Sequence, residues 1–233
     1  HGTINGATWE CSNGSCEYDT PTEGLVAYYP FNGNAEDESG NGNDGDINEG
    51  TDSEPTLTTD RFGNENSAYS FDGVDDKVCI DLYNAEQNTG TISVWFKSED
   101  SPSEIMGQDA NGWNNLDTNF GIGIQNASCG TENKLTFSTH GPVTNDVRCV
   151  SSTTSVDDNN WHHGVAVVTG SQYQIWVDGV NEANISTDYG IWGANGSTEL
   201  CFPEDANYNG KLDEVRIYNH ALSASEIQAL YQQ

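Results

Sequence analysis

Short runs of β-branched, aromatic and aliphatic residues, many alternating with polar ones, recur along the chain from Gly24 onward. Turns rich in Gly, Asn and Asp separate them. The runs are LVAYYPF (25–31), SAYSFDG (67–73), KVCIDL (77–82), TISVWFK (91–97), FGIGI (120–124), KLTFST (134–139), HHGVAVV (162–168), YQIWVDG (173–179) and KLDEVRIY (211–218). Strand-length runs separated by turn signals predict an all-β sandwich or barrel.

The firmest local feature is a two-residue turn at Asp178-Gly179, between YQIWV and VNEANIS. Both central residues of such a turn need positive φ, which Asp and Gly tolerate. The pattern predicts a β-hairpin.

A helix is predicted near the end of the sequence, in ALSASEIQALY. Ser223 is a favourable N-cap, and Glu226 three positions later completes a reciprocal capping box. Ile227, Leu230 and Tyr231 form an apolar stripe, so this helix should pack on the sandwich.

The first 23 residues differ from the rest, because they are polar and lack strand-length apolar runs. We expect an irregular N-terminal extension over 1–23, pinned by a small disulfide, and one domain over 24–233. The length is compatible with a single β-sandwich.

The charge balance excludes two classes of partner. Asp and Glu number 37 against 7 Lys and Arg, a formal net charge of -30. Such a surface repels nucleic acid and anionic lipid and attracts divalent cations. With no bilayer-length apolar stretch and no signal-like segment, we expect a processed chain that is secreted or on an extracellular surface, without membrane insertion.

Six cysteines, none in a paired CxxC zinc pattern, predict three disulfides in an oxidising compartment. Fifteen pairings are possible. We favour Cys11 with Cys16 across a short loop, Cys129 with Cys149 across a hairpin, and Cys79 with Cys201 between distant strands.

Several segments together resemble one family. They are GLVAYYPFNGNAEDESGNGNDG, SFDGVDD followed by TISVWFK, WHHGVAVV, IWVDG and GKLDEVRIYNHALSASEIQALY. In this order they resemble the laminin-G-like family of concanavalin A-like jelly rolls, over about residues 24–233, with a poor match from about 101 to 155. The resemblance implies two antiparallel sheets of six or seven strands each, ligand sites on the concave face or rim loops, and in many members a structural calcium.

The first candidate calcium site precedes the last strand. Asp205, Asn207, Asn209 and Asp213 occupy positions one, three, five and nine of a loop with Gly at position six. Calcium takes six to eight oxygen ligands, and alternate spacing can supply several. The alternative is a turn whose side chains cap their own backbone.

A second candidate lies in the early loop 34–44, where Asp37 and Asn41 stand among further oxygen donors. The resemblance implies that this loop and the final strand are close, so a site shared with Asp213 is one hypothesis. Left-handed turn geometry is the other. A third cluster, Asp72-Gly-Val-Asp75-Asp76, is interpreted as a strand–turn–strand connection.

The tryptophans divide into two sets. Trp95, Trp161 and Trp176 lie in apolar runs and should be buried. Indoles in polar loops often contact a ligand, and sugar rings stack on them. The predicted ligand-binding residues are therefore Trp113 and Trp192 with their polar neighbours Asn114, Asn115, Asp117 and Asn195, unless each Trp only covers its own loop.

Catalytic motifs are not evident. A glycosidase needs two carboxylates flanking the scissile bond, and the usual alternation of acids along one jelly-roll strand is missing. His162 and His163 begin a core strand and are assigned structural roles. A copper site using His1 is a remote alternative.

We therefore expect a non-catalytic, calcium-binding jelly roll that binds an extracellular glycan or cell-surface polysaccharide, or mediates adhesion. The alternatives are a structural subunit of a cell-surface, filament or virion assembly, in contact with its own copies or other surface proteins, and a glycan-active enzyme.

Overall fold

Antiparallel strands make up most of the computed structural model, which describes residues 2–4, 7–12, 15–47, 54–81, 89–98, 103–108, 120–124, 129, 132–140, 147–187, 199–203 and 208–233. The elements are β1 (Gly2–Ile4), β2 (Ala7–Ser12), β3 (Ser15–Tyr18), β4 (Leu25–Tyr29), β5 (Thr56–Thr58), β6 (Ala68–Asp72), β7 (Val78–Asp81), β8 (Gly90–Ser98), β9 (Ser103–Gln108), β10 (Phe120–Ile124), β11 (Lys134–His140), β12 (Val147–Ser155), β13 (His162–Val168), β14 (Gln172–Val177), β15 (Val180–Ser186), β16 (Glu199–Phe202), β17 (Asn209–Tyr218) and α1 (Ala224–Tyr231). The predicted all-β jelly-roll sandwich with one short C-terminal helix is confirmed.

Two sheets form the sandwich. The six-stranded sheet has the order β12-β11-β10-β9-β16-β7. The eight-stranded sheet has the order β15-β14-β13-β8-β17-β6-β5, with β4 also paired to β17. The eight-stranded sheet is larger than the six or seven strands expected, because β4 and β6 lie end to end along the same side of β17.

The N-terminal residues form a third, small sheet in the order β1-β2-β3, where the sequence predicted irregular structure. Short polar strands of this kind lack the apolar alternation by which strands are recognised. The backbone register sets Cys11 opposite Cys16. Their side chains lie outside the described residues, so this disulfide and a boundary at residue 23 stay predictions.

The main core lies between the two sheets and consists of apolar and aromatic side chains that alternate along the strands. Phe31, for example, packs edge-on against Tyr69, and Phe137 packs edge-on against Tyr173. Burial of this apolar surface is the main force that holds the sheets together.

A second apolar cluster lies on the outer face of the eight-stranded sheet, where α1 covers it. Ile227 and Leu230 of α1 are fully buried against Val165 and Val167 of β13. The capping box is present as predicted: Glu226 N donates to Ser223 Oγ, and the Ser223 backbone N donates to the Glu226 carboxylate.

The three tryptophans in the predicted strand runs differ in burial. Trp95 is buried, as predicted, but under α1, where its ring stacks on Tyr231 with centroids 5.8 Å apart. Trp161 and Trp176 are only partly buried. The prediction of full burial was wrong for Trp176 because the side chain points to the outer face of the sheet, near the edge.

Two disulfides confirm two of the favoured pairings, Cys79–Cys201 and Cys129–Cys149. Cys79 and Cys201 face each other on the neighbouring strands β7 and β16. Cys149 lies in β12, so its bond to Cys129 ties the connection between β10 and β11 to the edge of the six-stranded sheet.

The adjacent histidines at the start of β13 have opposite environments. His163 is fully buried, contacts Ser93 Oγ at 2.8 Å, and has a pKa lowered to about 3 by burial and by the nearby Arg216. His162 lies between two carboxylates, with Nδ1 2.9 Å from Asp178 and Nε2 3.1 Å from Asp158. The hydrogen bond with Asp178, with support from Asp158, outweighs burial and raises the pKa of His162.

We predict that the Cys79–Cys201 disulfide contributes more stability than Cys129–Cys149. The first spans 122 residues and the second 20. Loop-closure entropy in the unfolded chain predicts about 5 kcal/mol for the longer loop and about 3 kcal/mol for the shorter. Denaturant unfolding of the double alanine variants at each pair measures the difference. Equal losses, or a larger loss for Cys129→Ala/Cys149→Ala, would contradict this ranking.

We predict that His162→Gln lowers stability more at pH 5.5 than at pH 8.5. The pKa of His162 is raised on folding, so its stabilising contribution is complete below the unfolded value and is lost as the pH rises through the folded value. At pH 5.5 the loss should be about 2 kcal/mol, as for hydrogen bonds to charged groups. Urea unfolding of both proteins across this range provides the test, and a loss independent of pH would refute the ionic role.

Candidate functional site

Three carboxylates meet in the turn between β6 and β7, here called the acidic turn (Asp72, Asp75 and Asp76). An oxygen of each lies within 4.8 Å of the others, and in the described part of the chain no other group of three metal-ligating side chains meets this criterion. Asp76 is 4% exposed, and its carboxylate accepts a hydrogen bond of 2.8 Å from the backbone N of Asp72. Close carboxylates repel one another, and a calcium ion would offset that repulsion with oxygen ligands.

The start of β17 lies beside this acidic turn. Asn209 is in register with Asp72, and Gly73 approaches Asn209 closely. Of the loop residues predicted to bind calcium, Asn209 is thus next to the acidic turn, and Asp205 and Asn207, just before it in sequence, lie outside the described residues. The sequence signal for this site was the triplet of acids around Gly73. It was interpreted as a connection because the register that brings β17 alongside is not visible in the sequence.

Asp37 organises its own loop. Its Oδ1 accepts hydrogen bonds from the backbone N of Tyr28 (3.0 Å) and Ser39 (2.9 Å), and its Oδ2 from Ser39 Oγ and the backbone N of Asn43, both at 2.9 Å. Burial opposes ionisation, but these hydrogen bonds outweigh it and lower the pKa of Asp37. Asn41 Nδ2 donates to the backbone carbonyl of the first residue of β4, at 2.9 Å. Both side chains therefore hold the loop against β4.

Asp213 has different partners. It is 2% exposed on the outer side of the eight-stranded sheet, and its Oδ2 lies 2.6 Å from Arg61 Nη1. Burial outweighs the attraction of Arg61 and raises the pKa of Asp213 to about 7. The Arg61 guanidinium in turn lies 4.6 Å from the Trp95 ring centroid. The structure thus gives Asp37 and Asp213 separate sets of contacts, and the hypothesis of a calcium shared between them gains no support from these contacts.

Strand register shows where the predicted glycan-binding segments attach. Segment 109–119 connects β9 to β10, and segment 188–198 leads into β16. Because β16 pairs antiparallel with β9 through Cys201 and Gly107, both segments attach at the same end of the six-stranded sheet, here called the tryptophan end. The residues predicted there, all outside the described residues, are Trp113, Asn114, Asn115, Asp117, Trp192 and Asn195.

The acidic turn lies at the opposite end of the same sheet. The turn leads into β7, whose first residue Val78 pairs with Phe202, the last residue of β16. The tryptophan end is instead where β7 ends, at Asp81, and β16 begins, at Glu199. The acidic turn is therefore separated by the length of these strands from the points where segments 109–119 and 188–198 attach.

The outer face of the six-stranded sheet has a floor of small residues. Ile122, Phe137 and Val150 point into the core, so their sequence neighbours face outward. The outward-facing row across the sheet is Cys201, Gly107, Gly121, Ser138 and Cys149. The Glu104 carboxylate lies over Gly121, in the space that a side chain at position 121 would occupy. The central row of this face therefore consists of small side chains, with a disulfide at either side.

The chain resembles several solved structures in fold. The binding domain of Paraclostridial Mosquitocidal Protein 1 matches with a TM-score of 0.69 and 14% identity, over 90% of this chain and 52% of that one. The botulinum neurotoxin serotype D binding domain matches with a TM-score of 0.67 and 13% identity, over 91% and 51%. This chain thus spans about half the length of these toxin binding domains.

A third structure corresponds over nearly its whole length. Domain 4 of AbnA, a GH43 extracellular arabinanase from Geobacillus stearothermophilus, in complex with arabinotriose, matches with a TM-score of 0.67 and 21% identity, over 89% of this chain and 98% of that one. At these identities the likeness establishes the fold. No curated protein matches in sequence.

A family model matches the sequence over residues 71–228, from the end of β6 into α1. The matched part includes both disulfides, the acidic turn and most strands of both sheets. The chain belongs to the laminin G group of the concanavalin A-like lectin/glucanases superfamily.

Proposed function

We propose that this chain is a secreted, non-catalytic module that binds extracellular glycans at the tryptophan end of its six-stranded sheet. The observation that carries the proposal is the correspondence over 98% of the length of an arabinanase domain whose structure holds arabinotriose. The neutral sugars of such a ligand suit an acidic protein, because they bring no charge to be repelled.

The proposed glycan contacts are Trp113 and Trp192. The two segments that carry them attach to adjacent strands, β9 and β16, so one ligand can be reached from both. Indole faces would stack on sugar rings, and the amides of Asn114, Asn115 and Asn195 with the Asp117 carboxylate would supply hydrogen bonds.

Calcium is proposed as a structural ion at the acidic turn. Asp72, Asp75 and Asp76 would provide carboxylate oxygens, with further ligands from Asp205, Asn207 and Asn209. The ion would hold the connection between β6 and β7 against the start of β17. Because this site lies at the opposite end of the sheet from the points where the tryptophan-bearing segments attach, calcium should act on stability and leave direct sugar contact to the other end.

Strand register places the described carboxylates Glu104 and Asp81 on the outer face of the six-stranded sheet, and sets Glu199, whose side chain lies outside the described residues, opposite Asp81. Glu104 and Asp81 both face outward, but they lie on strands separated by β16 and on opposite sides of the row through Gly107. With strands about 4.8 Å apart and a rise of about 3.3 Å per residue, their separation is about 15 Å or more. Glycosidase carboxylates are about 5 to 9.5 Å apart. Glu104 and Asp81 are therefore too far apart to act together as a glycosidase pair.

The described residues include two disulfides, which form and persist in oxidising compartments and so support secretion. No helix in the described ranges is long and apolar enough to cross a membrane. A structural subunit of a surface assembly is the second candidate, because β1, β2 and β3 form a sheet separate from the sandwich that could contact a neighbour.

Calcium should raise the thermal unfolding temperature. Free calcium at about 100 times its Kd adds about 2.7 kcal/mol to the free energy of unfolding. For a chain of this size this corresponds to a rise of roughly 5–10 °C in the melting temperature. Asp75→Asn should reduce the calcium-dependent rise while leaving the melting temperature in chelator nearly unchanged. Asp81→Asn, at the far end of β7, is the matched control. Differential scanning calorimetry with calcium and with EDTA measures both effects, and an unchanged melting temperature in calcium would refute the metal site.

Trp113→Ala and Trp192→Ala should each weaken binding of neutral oligosaccharides such as arabinotriose about tenfold or more, because the stacking of a sugar ring on the indole face is lost. Isothermal titration calorimetry measures the affinity. Phe62→Ala is the control, since Phe62 is 65% exposed in the turn that joins β5 and β6 of the other sheet. Wild-type affinity in both tryptophan variants would exclude this end as the binding site, and release of reducing ends from the glycan would exclude a purely binding role.

A further inference from the structure

The β14–β15 hairpin presents a group of amide side chains around a tryptophan on the outer face of the eight-stranded sheet. Tyr173, Ile175 and Val177 of β14 point into the core. The alternate residues Gln174 and Trp176 therefore point outward. Across the hairpin, Trp176 pairs with Asn181 and Gln174 with Asn184. We call Gln174, Trp176, Asn181 and Asn184 the amide patch.

Hydrogen bonds among these four side chains fix their orientations. Gln174 Oε1 accepts from Trp176 Nε1 at 3.1 Å and from Asn181 Nδ2 at 3.4 Å. Asn181 and Asn184 bond reciprocally, at 2.8 Å and 3.2 Å. Side chains that are already ordered lose less conformational entropy when a ligand binds.

The patch keeps unused hydrogen-bonding capacity. An amide group carries two N–H donors and two acceptor lone pairs. In the described structure Gln174 acts only as an acceptor, so both of its N–H groups face no described partner. Asn184, which is exposed, has one further N–H group and acceptor capacity on Oδ1. These groups can bond to the hydroxyls of a ligand.

The patch is uncharged in a chain of net charge -30. The neighbouring acids are engaged elsewhere. Glu182 accepts hydrogen bonds from Thr153 and Thr154 of β12, and Asp178 contacts His162. A ligand on the patch therefore meets amides and an indole without a carboxylate directed at it.

Trp176 is partly buried, with one side packed on the apolar cluster under α1. The remaining surface of the indole is flanked by Gln174 and Asn181. Planar amides next to an aromatic face match the alternating hydroxyls and C–H surface of a sugar ring.

We propose that the amide patch is a second glycan-binding surface, specific for neutral polysaccharide chains. It lies on the opposite sheet from the tryptophan end. The outward positions from Gln172 to Trp176 extend about 13 Å along β14, which accommodates several consecutive sugar rings. The inference rests on the proposed glycan-binding function and adds a second point of attachment, which strengthens binding to long chains more than to short ones.

The test compares single and double variants on a soluble neutral polysaccharide, linear arabinan, and on arabinotriose. The protein is produced in a bacterial host, so that the Asn184-Ile-Ser sequon stays unmodified. Gln174→Ala/Asn184→Ala should weaken binding of arabinan about tenfold or more. Arabinotriose affinity, governed by the tryptophan end, should change less than twofold. Val180→Ala, at the exposed turn of the same hairpin, is the matched control.

Folding is checked by the unfolding midpoint of each variant, and Trp176→Phe provides a second probe that preserves the apolar packing. Arabinan binding at wild-type affinity in both patch variants would overturn the second surface while leaving the proposed function intact. Failure of the wild type to bind any neutral glycan would overturn both. Loss of arabinan binding only in Trp113→Ala or Trp192→Ala would assign all recognition to the tryptophan end.

Discussion

A backbone bulge in β17 is the constraint on which the eight-stranded sheet depends. Glu214 has a φ of 54°, and the pairing of β17 with β8 shifts register between Asp213 and Arg216. Before the bulge β17 pairs with β6, and after it with β4. The bulge also places Asp213 against Arg61 and the Glu214 carboxylate against Arg216, so that each of these two buried arginine side chains has an acidic partner. Removing one partner of such a buried pair is costly, because the remaining charge is left without compensation.

In the proposed function, the connections that stabilise the sandwich are separated from the segments that would recognise a ligand. A calcium ion bound at the acidic turn would hold together the point where β6, β7 and β17 meet. The tryptophan-bearing segments attach at the far end of the sheet. The floor of small residues between these ends is braced by disulfides. A family with this arrangement can change its loops at one end without altering the connections that hold the sheets together.

Local patterns were sufficient to predict much of the fold. The Asp178-Gly179 hairpin and the Ser223 capping box follow from signals within a few residues, and the even cysteine count predicts disulfides without fixing which cysteines pair. The surroundings of Asp213 could not be predicted in this way, because Arg61 lies 152 positions earlier in the sequence. Register was the missing information at the acidic turn as well, since Asn209 reaches Asp72 only through strand pairing.

The hydrogen bonds of Glu182 have a consequence for self-association. β12 and β15 are edge strands of the two sheets, and exposed edges are templates on which further strands can add. The Glu182 carboxylate accepts the backbone N–H groups of both Thr153 and Thr154, which an incoming strand would need. The partly buried Glu182 side chain thus joins the two sheets along one side, and at Thr153 and Thr154 it occupies backbone donors to which an added strand would bond.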